Sequence, residues 1–206
     1  MYQRVWKRAL DILLSGVGLI ILAIPMCVVA LVIRREDPGP AMFRQKRVGA
    51  GKKLFTLYKF RSMKLSAPKD VPTHLLRNPE QYYLRCGRVI RKYSIDELPQ
   101  LLNILKGDMS VIGPRPALWN QDDLIAERDL YGANDVKPGL TGWAQINGRD
   151  ELEIPIKAKF DGEYVQKLSF AFDCRCFFGT IGKVLRGDDV AVGAQEKTEE
   201  KEASSV

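Results

Sequence analysis

The longest apolar run in the chain extends from Ile12 to Ile33, 22 residues without a charged side chain. A straight helix of that length would cover a hydrocarbon core of roughly 30 Å. Two features point away from a simple span. Pro25 lies near the middle and removes a helical hydrogen bond. Basic residues flank both ends, Arg4, Lys7 and Arg8 before and Arg34 and Arg35 after, so the positive-inside rule holds both ends on the cytoplasmic side. The pattern therefore suits a re-entrant helix–break–helix over residues 1–36 and an ordinary signal anchor equally. Cleavage after Val28-Val29-Ala30 is disfavoured because the apolar run continues beyond it.

Further along, the periodicities shorten. Ala41–Arg47 and Lys53–Phe60 read as strands of a hairpin around Gly49-Ala50-Gly51. Lys64–Pro79 is a polar loop, and Gln81–Arg91 is a helix with Arg85, Arg88 and Arg91 spaced three apart. From Ser94 a second helix is expected: Ser94 as N-cap, Glu97 completing a capping box, Tyr93 and Leu98 as a staple, and Leu98, Leu101, Leu102 and Leu105 as a core-facing stripe. Asp122–Tyr131 reads as an acidic helix. Pro138–Arg149 reads as a Gly-rich loop whose backbone can approach a ligand. Ser169–Gly187 reads as a capped helix with Phe170, Cys174, Phe177, Phe178, Ile181, Val184 and Leu185 on one side, suited to a core or to a bilayer surface. The tail after Asp189 is rich in Glu, Lys and Ser and is expected to be disordered. On the first of the two readings of residues 1–36, the expected fold class is α+β: a re-entrant membrane helix (1–36), a small, mostly helical domain with a β-hairpin and interfacial amphipathic helices (37–187), and a charged tail (188–206).

Composition narrows the partners. The 206 residues carry a net charge of +7, and the stretch Ala191–Val206 has two Lys against four Glu, so the positive excess lies in the body. Such a body suits nucleic acid, a lipid surface or phosphorylated substrates. A nucleic-acid role rests on charge alone, since no recognition helix or RNA-binding motif is present. Four Cys without a Cys-x-x-Cys pair, and one His, argue against zinc and for a reducing compartment.

The chemistry concentrates between Arg91 and Pro116. Asp96 and Glu97 are adjacent at a helix start, where backbone N–H groups and the helix dipole favour negative charge. Pro99 cannot donate one turn back, leaving the Ile95 carbonyl or a neighbour unbonded beside the carboxylates. Arg115 sits between Pro114 and Pro116, which favours a fixed direction for its guanidinium. An acid pair with a presented guanidinium suits a phosphate-bearing substrate and a metal ion, whereas two ordinary first-turn acids are the plainer reading of the dyad alone.

Three segments carry a resemblance: Ser94 through Pro116; Phe43-Arg44-Gln45-Lys46-Arg47-Val48-Gly49 with Leu57-Tyr58-Lys59-Phe60-Arg61-Ser62-Met63; and Val136 through Arg149. Together they resemble the bacterial sugar transferases, monotopic phosphoglycosyl transferases that start glycan assembly on polyprenyl phosphate, over nearly all of residues 1–187. The resemblance implies transfer of a phosphosugar from a UDP-sugar to polyprenyl (undecaprenyl) phosphate with release of UMP and Mg2+ as cofactor. It implies Asp96 as nucleophile and metal ligand, with Glu97 assisting. It further implies Arg115 as the nucleotide-binding arginine, Lys59 and Arg91 near the phosphates, Asp161 and Tyr164 orienting metal or base, and Gln145 and Arg149 as substrate contacts. The expected setting is the cytoplasmic face of a bacterial inner membrane, with both termini in the cytoplasm, membrane lipids as partners and a homodimer compatible with the sequence. An acetamido sugar is the expected donor, and a ternary mechanism and a non-catalytic membrane-peripheral adaptor are the alternatives. Where the family usually has Ser-Pro at the break, this chain has Ile24-Pro25.

Overall fold

The computed structural model describes residues 2–68, 76, 78–148 and 152–186. The expected charged tail, Gly187, Arg149 and most of the second half of the 64–79 loop lie outside the described residues.

Helix α1, Lys7–Glu36, is one α-helix of 30 residues and runs through Pro25. The expected interruption there is not a loss of helix. A proline deletes one hydrogen bond, while the inward stripe Asp11, Ser15, Leu19, Leu22, Met26, Val29 and Ile33 keeps helical spacing across it. That stripe rests on the body. Leu19 and Leu22 pack on a core of Leu57, Leu101, Ile104, Met109, Val111, Ile112, Tyr164, Phe172 and Cys176. Met26, Val29 and Ala30 pack on a second core of Ile33, Ala41, Phe60, Leu84 and Ile90. Gly18 gives the close approach of α1 to Leu101, since a Cβ there would lie 3.2 Å from a Leu101 methyl. The opposite face is apolar and exposed at Ile20, Ile21, Ile24, Val28 and Leu31.

Both ends of α1 are held by polar contacts to the same body. At the start, Lys7 Nζ lies 2.6 Å from Asp173 Oδ2, and Arg8 donates to the Ile104 and Leu105 carbonyls at 2.6 and 2.8 Å. At the end, the Glu36 carboxylate accepts from the amides of Arg85 and, at 2.9 Å, Cys86, the first residues of α2 (Arg85–Lys92). Asp37 pairs with the buried Arg61.

The hairpin forms as its alternation requires, with β1 (Met42–Val48) antiparallel to β2 (Leu54–Phe60) and Phe43 opposite Lys59. Helix α3, Gln100–Lys106, docks on the outer edge of β2 through Asn103, which accepts from the Tyr58 N–H at 3.0 Å and donates to the Thr56 carbonyl at 2.7 Å. A second, parallel pair that short strands concealed joins β3 (Ser110–Ile112) to β4 (Gly139–Thr141). Beyond them lie α4 (Asp122–Asp129), α5 (Trp143–Ile146), α6 (Ile154–Lys167) and α7 (Phe170–Arg186).

Two expectations are corrected here. Leu101 and Ile104 form the buried face of α3, with Gln100 and Asn103, whereas Leu102 and Leu105 are exposed, because docking through Asn103 rotates them outward. The segment 138–148 is not an open ligand loop: a Cβ on Gly139 would meet Gly113 N at 2.1 Å and one on Gly142 the Gly113 carbonyl at 2.0 Å, so these glycines admit another strand's backbone. On α7, of the two expected settings, the side Phe170, Phe177, Phe178 and Ile181 takes the exposed one, while Phe172 and Cys176 face the core.

Candidate active site

The acid pair sits in a single 3-10 turn, Ile95–Glu97, between α2 and α3. Asp96 and Glu97 are 7% and 5% exposed, which excludes two solvated first-turn acids. The capping box does not form. Ser94 has φ 53° and ψ 22°, in the left-handed region, and makes no side-chain cap bond, whereas an N-cap needs extended backbone to bring its oxygen over the next turn. Tyr93 is exposed rather than stapled. Pro99 stands at the entry of α3, where no amide is required, and the Ile95 carbonyl is not left unbonded, because the Leu98 N–H donates to it at 3.2 Å.

Released from capping, Glu97 turns toward cations. Lys59 Nζ on β2 lies 2.7 Å from Glu97 Oε1. Both terminal nitrogens of Arg115 donate to the same oxygen at 3.2 Å. Burial pulls the Lys59 ammonium below the ordinary lysine range; Glu97 and Asp96 oppose this, while Arg115 and Arg47 add to it. One hairpin strand, one 3-10 turn and one Pro-Arg-Pro segment, far apart in sequence, thus converge on a half-buried cluster of two carboxylates and several cations. Among the described residues no group of three or more His, Cys, Asp or Glu is gathered for a metal ion. The Asp96–Glu97 pair nevertheless fits Mg2+, which is commonly held by one or two carboxylates and completed by substrate phosphates.

The other expected site residues are dispersed. The Arg91 guanidinium lies over the Tyr83 ring, 5.2 Å from its centroid, and its carbonyl accepts from the Ser94 N–H, two residues before Asp96. Gln145 is buried and donates to the Leu140 carbonyl at 2.9 Å. Asp161 is buried against Arg128, whose Nε and Nη2 both donate to its Oδ2 at 2.8 and 2.6 Å. The Tyr164 hydroxyl donates to Asp173 Oδ1 at 2.8 Å within the core, where burial and Asp173 push it above the usual tyrosine range.

Gln45 and Arg47 lie in the Phe43–Gly49 motif, which by itself assigns them no role. Arg47 donates from Nη1 to the Pro116 carbonyl at 2.9 Å and from Nε and Nη2 to Gln45 Oε1 at 3.1 and 2.7 Å, bracing the Pro-Arg-Pro segment. The signal was present: Phe43, Gln45 and Arg47 alternate along β1 and share the face of Lys59.

Against this geometry the comparisons are specific. The family model "Bacterial sugar transferase" matches residues 2–187, and the chain belongs to that family. It is 45% identical over 160 residues to the uncharacterized sugar transferase EpsL of Bacillus subtilis (strain 168), covering 77% of each protein. It is 38% identical over 194 residues to the UDP-glucose:undecaprenyl-phosphate glucose-1-phosphate transferase of Escherichia coli (strain K12), covering 88% of this chain and 40% of that one. It is also 38% identical over 187 residues to the UDP-N-acetylgalactosamine-undecaprenyl-phosphate N-acetylgalactosaminephosphotransferase of Aeromonas hydrophila, covering 88% of this chain and 44% of that one. The chain therefore spans less than half the length of the latter two relatives.

Proposed function

We propose that this protein is a polyprenyl-phosphate phosphoglycosyl transferase: it moves a sugar phosphate from a UDP-sugar to undecaprenyl phosphate and releases UMP. The observation that carries the reading is the convergence of Lys59 and Arg115 on the buried Asp96–Glu97 turn. Both substrates are anionic, so the site must hold cations where phosphates meet and still keep a carboxylate within reach. The names of the Escherichia coli and Aeromonas relatives support the same donor and acceptor classes.

In the first step an Asp96 carboxylate oxygen attacks the sugar-bearing phosphorus. The bond from that phosphorus to the bridging oxygen breaks, and UMP leaves with the electron pair. Lys59 and Arg115 bind the phosphoryl oxygens as charge shifts onto the leaving group. In the second step a phosphate oxygen of the acceptor attacks the same phosphorus, the acyl–phosphate bond breaks, and the Asp96 carboxylate is regenerated. Glu97 orients Lys59 and Arg115 through its Oε1. Mg2+, held by Asp96, supplies neutralisation of phosphate charge when bound. An acetamido sugar is our first choice of donor; a panel of UDP-sugars tests it, and a marked preference for UDP-glucose would reverse it.

The site belongs at a bilayer surface. α1 has 30 residues, about 45 Å of helix, yet both its ends and its inward stripe rest on one body. The exposed apolar residues of α1 and of α7 supply a lipid-facing surface. This supports a monotopic arrangement, with α1 embedded in one leaflet and the site at the cytoplasmic face.

Asp96→Asn is expected to abolish UMP release while leaving membrane association intact, and donor incubated with the wild-type protein should add a phosphosugar mass to the peptide containing Asp96. Substantial turnover by Asp96→Asn, or the adduct on another residue, would refute the covalent step. EDTA should stop the reaction and Mg2+ restore it; full activity in metal-free buffer would remove the metal from the proposal.

A further inference from the structure

Asp11 is a carboxylic acid, 4% exposed, on the helix that otherwise supplies the lipid-facing surface. Burying such a group is costly unless it is hydrogen-bonded, and it is: Oδ1 accepts from the Val111 N–H at 2.8 Å and from the Ser110 hydroxyl at 3.0 Å. The reason lies in strand geometry. β3 pairs with β4 through the Ser110 N–H to the Pro138 carbonyl at 2.9 Å, with Ser110 opposite Gly139 and Ile112 opposite Thr141. Alternate amides of a strand point to opposite edges, so the Val111 N–H faces away from β4, and Asp11 occupies the place of a third strand. Four residues after Val111, across the stiff Gly113-Pro114 step, stands Arg115. One turn earlier on α1, Arg8 holds the carbonyls of Ile104 and Leu105 at the far end of α3, the helix that follows the Asp96–Glu97 turn. Consecutive turns of the membrane helix thus brace both elements that carry the site.

We infer that Asp11 is a positioning residue for Arg115: by fixing the outer edge of β3 it sets the guanidinium against Glu97, so donor binding depends on the seating of the membrane helix. The inference rests on the reading of Arg115 as the donor clamp. Removing the acceptor leaves a buried N–H unsatisfied, β3 shifts, and the 3.2 Å contacts between Arg115 and Glu97 loosen.

The test is steady-state kinetics in detergent with full-length protein, UDP-sugar and undecaprenyl phosphate. Asp11→Leu is expected to raise the donor KM about tenfold, with kcat and the acceptor KM within about twofold, since leaving the Val111 N–H unsatisfied corresponds to roughly that factor. Asp11→Asn, which keeps an accepting oxygen, should stay near wild type. In the Arg115→Lys background Asp11→Leu should add little, because both changes act on one clamp. A wild-type donor KM for Asp11→Leu, an equal loss in kcat and both KM values, or full additivity with Arg115→Lys would overturn the inference. If Asp11→Leu does not accumulate in membranes, Ser110→Ala decides in its place, and an unchanged donor KM there counts against the proposal. Hydrogen exchange over residues 110–118 needs no turnover: it should quicken in Asp11→Leu and not in Asp11→Asn, and equal protection in both would overturn the inference. If the wild-type protein releases no UMP from any UDP-sugar, the parent reading fails on its own, and the exchange result still judges Asp11.

Discussion

Replacing Asp161 by Asn separates a structural role from a catalytic one. Arg128 and Asp161 are 4% and 1% exposed and share two charge-assisted hydrogen bonds, both to Oδ2. Burial pushes the Asp161 carboxyl up, against the opposing pull of Arg128. Asp161→Asn keeps the volume but leaves the guanidinium buried without its counter-charge. Breaking a buried pair from one side costs about 3–5 kcal/mol. At about 2–4 °C per kcal/mol for a chain of this size, the melting temperature should fall by roughly 6–20 °C. Replacing both partners with apolar side chains, Arg128→Met with Asp161→Leu, should recover most of that loss, since no uncompensated charge remains. Thermal unfolding in detergent, followed by circular dichroism, reads the stability; UMP release at a temperature where every variant is folded reads the chemistry. The expected result is an unstable single variant and a stable, active double variant. A single variant that melts like wild type but has lost kcat, or a double variant that is stable and inactive, would return Asp161 to the reaction and refute the structural assignment.

Two further outcomes follow from the site and from α1. On the proposed contact between the charged Lys59 and substrate phosphate, and with its pKa below the ordinary 10.5, kcat/KM should fall on the alkaline side before that value is reached. Over the same window the unfolded chain binds more protons, so Lys59 makes folding more favourable as pH rises; the activity loss should appear without a loss of melting temperature, and a limb unchanged in Lys59→Arg would refute the assignment. Gln3→Cys and Arg35→Cys, made with Cys27 and Cys174 replaced, should both label from the cytoplasmic side of sealed vesicles and neither from outside; Cys86 and Cys176, whose thiols burial pushes up to about 12, should react slowly. Labelling of Gln3→Cys from outside would make α1 an ordinary span.

The parts of this molecule that were legible in the sequence are those written in short-range pattern. The alternation of β1 and β2 gave the hairpin, and the Asp96–Glu97 dyad with Arg115 and Lys59 gave the cluster that the fold assembles. What escaped depends on partners far apart in the chain. Nothing near Asp161 in the chain announces Arg128, 33 residues away, against which it is buried. Ser94 and Glu97 read as a capping box because spacing is silent on backbone handedness; a φ of 53° at Ser94 redirects Glu97 to Lys59. Three-residue strands such as β3 and β4 carry too little periodicity to be seen at all.

The seating of α1 has a practical side for anyone wishing to handle this enzyme in water. Its inward residues Leu19, Leu22, Met26 and Val29 are also the lid of both cores, and its last turn supplies the carboxylate at the start of α2. Cutting the chain after Glu36 would therefore open two troughs lined by Leu101, Phe60, Leu84 and Ile90 and yield an aggregating fragment instead of a soluble catalytic piece. A water-soluble version would instead come from repainting: polar side chains at Ile20, Ile21, Ile24 and Val28, with every inward position left as it is.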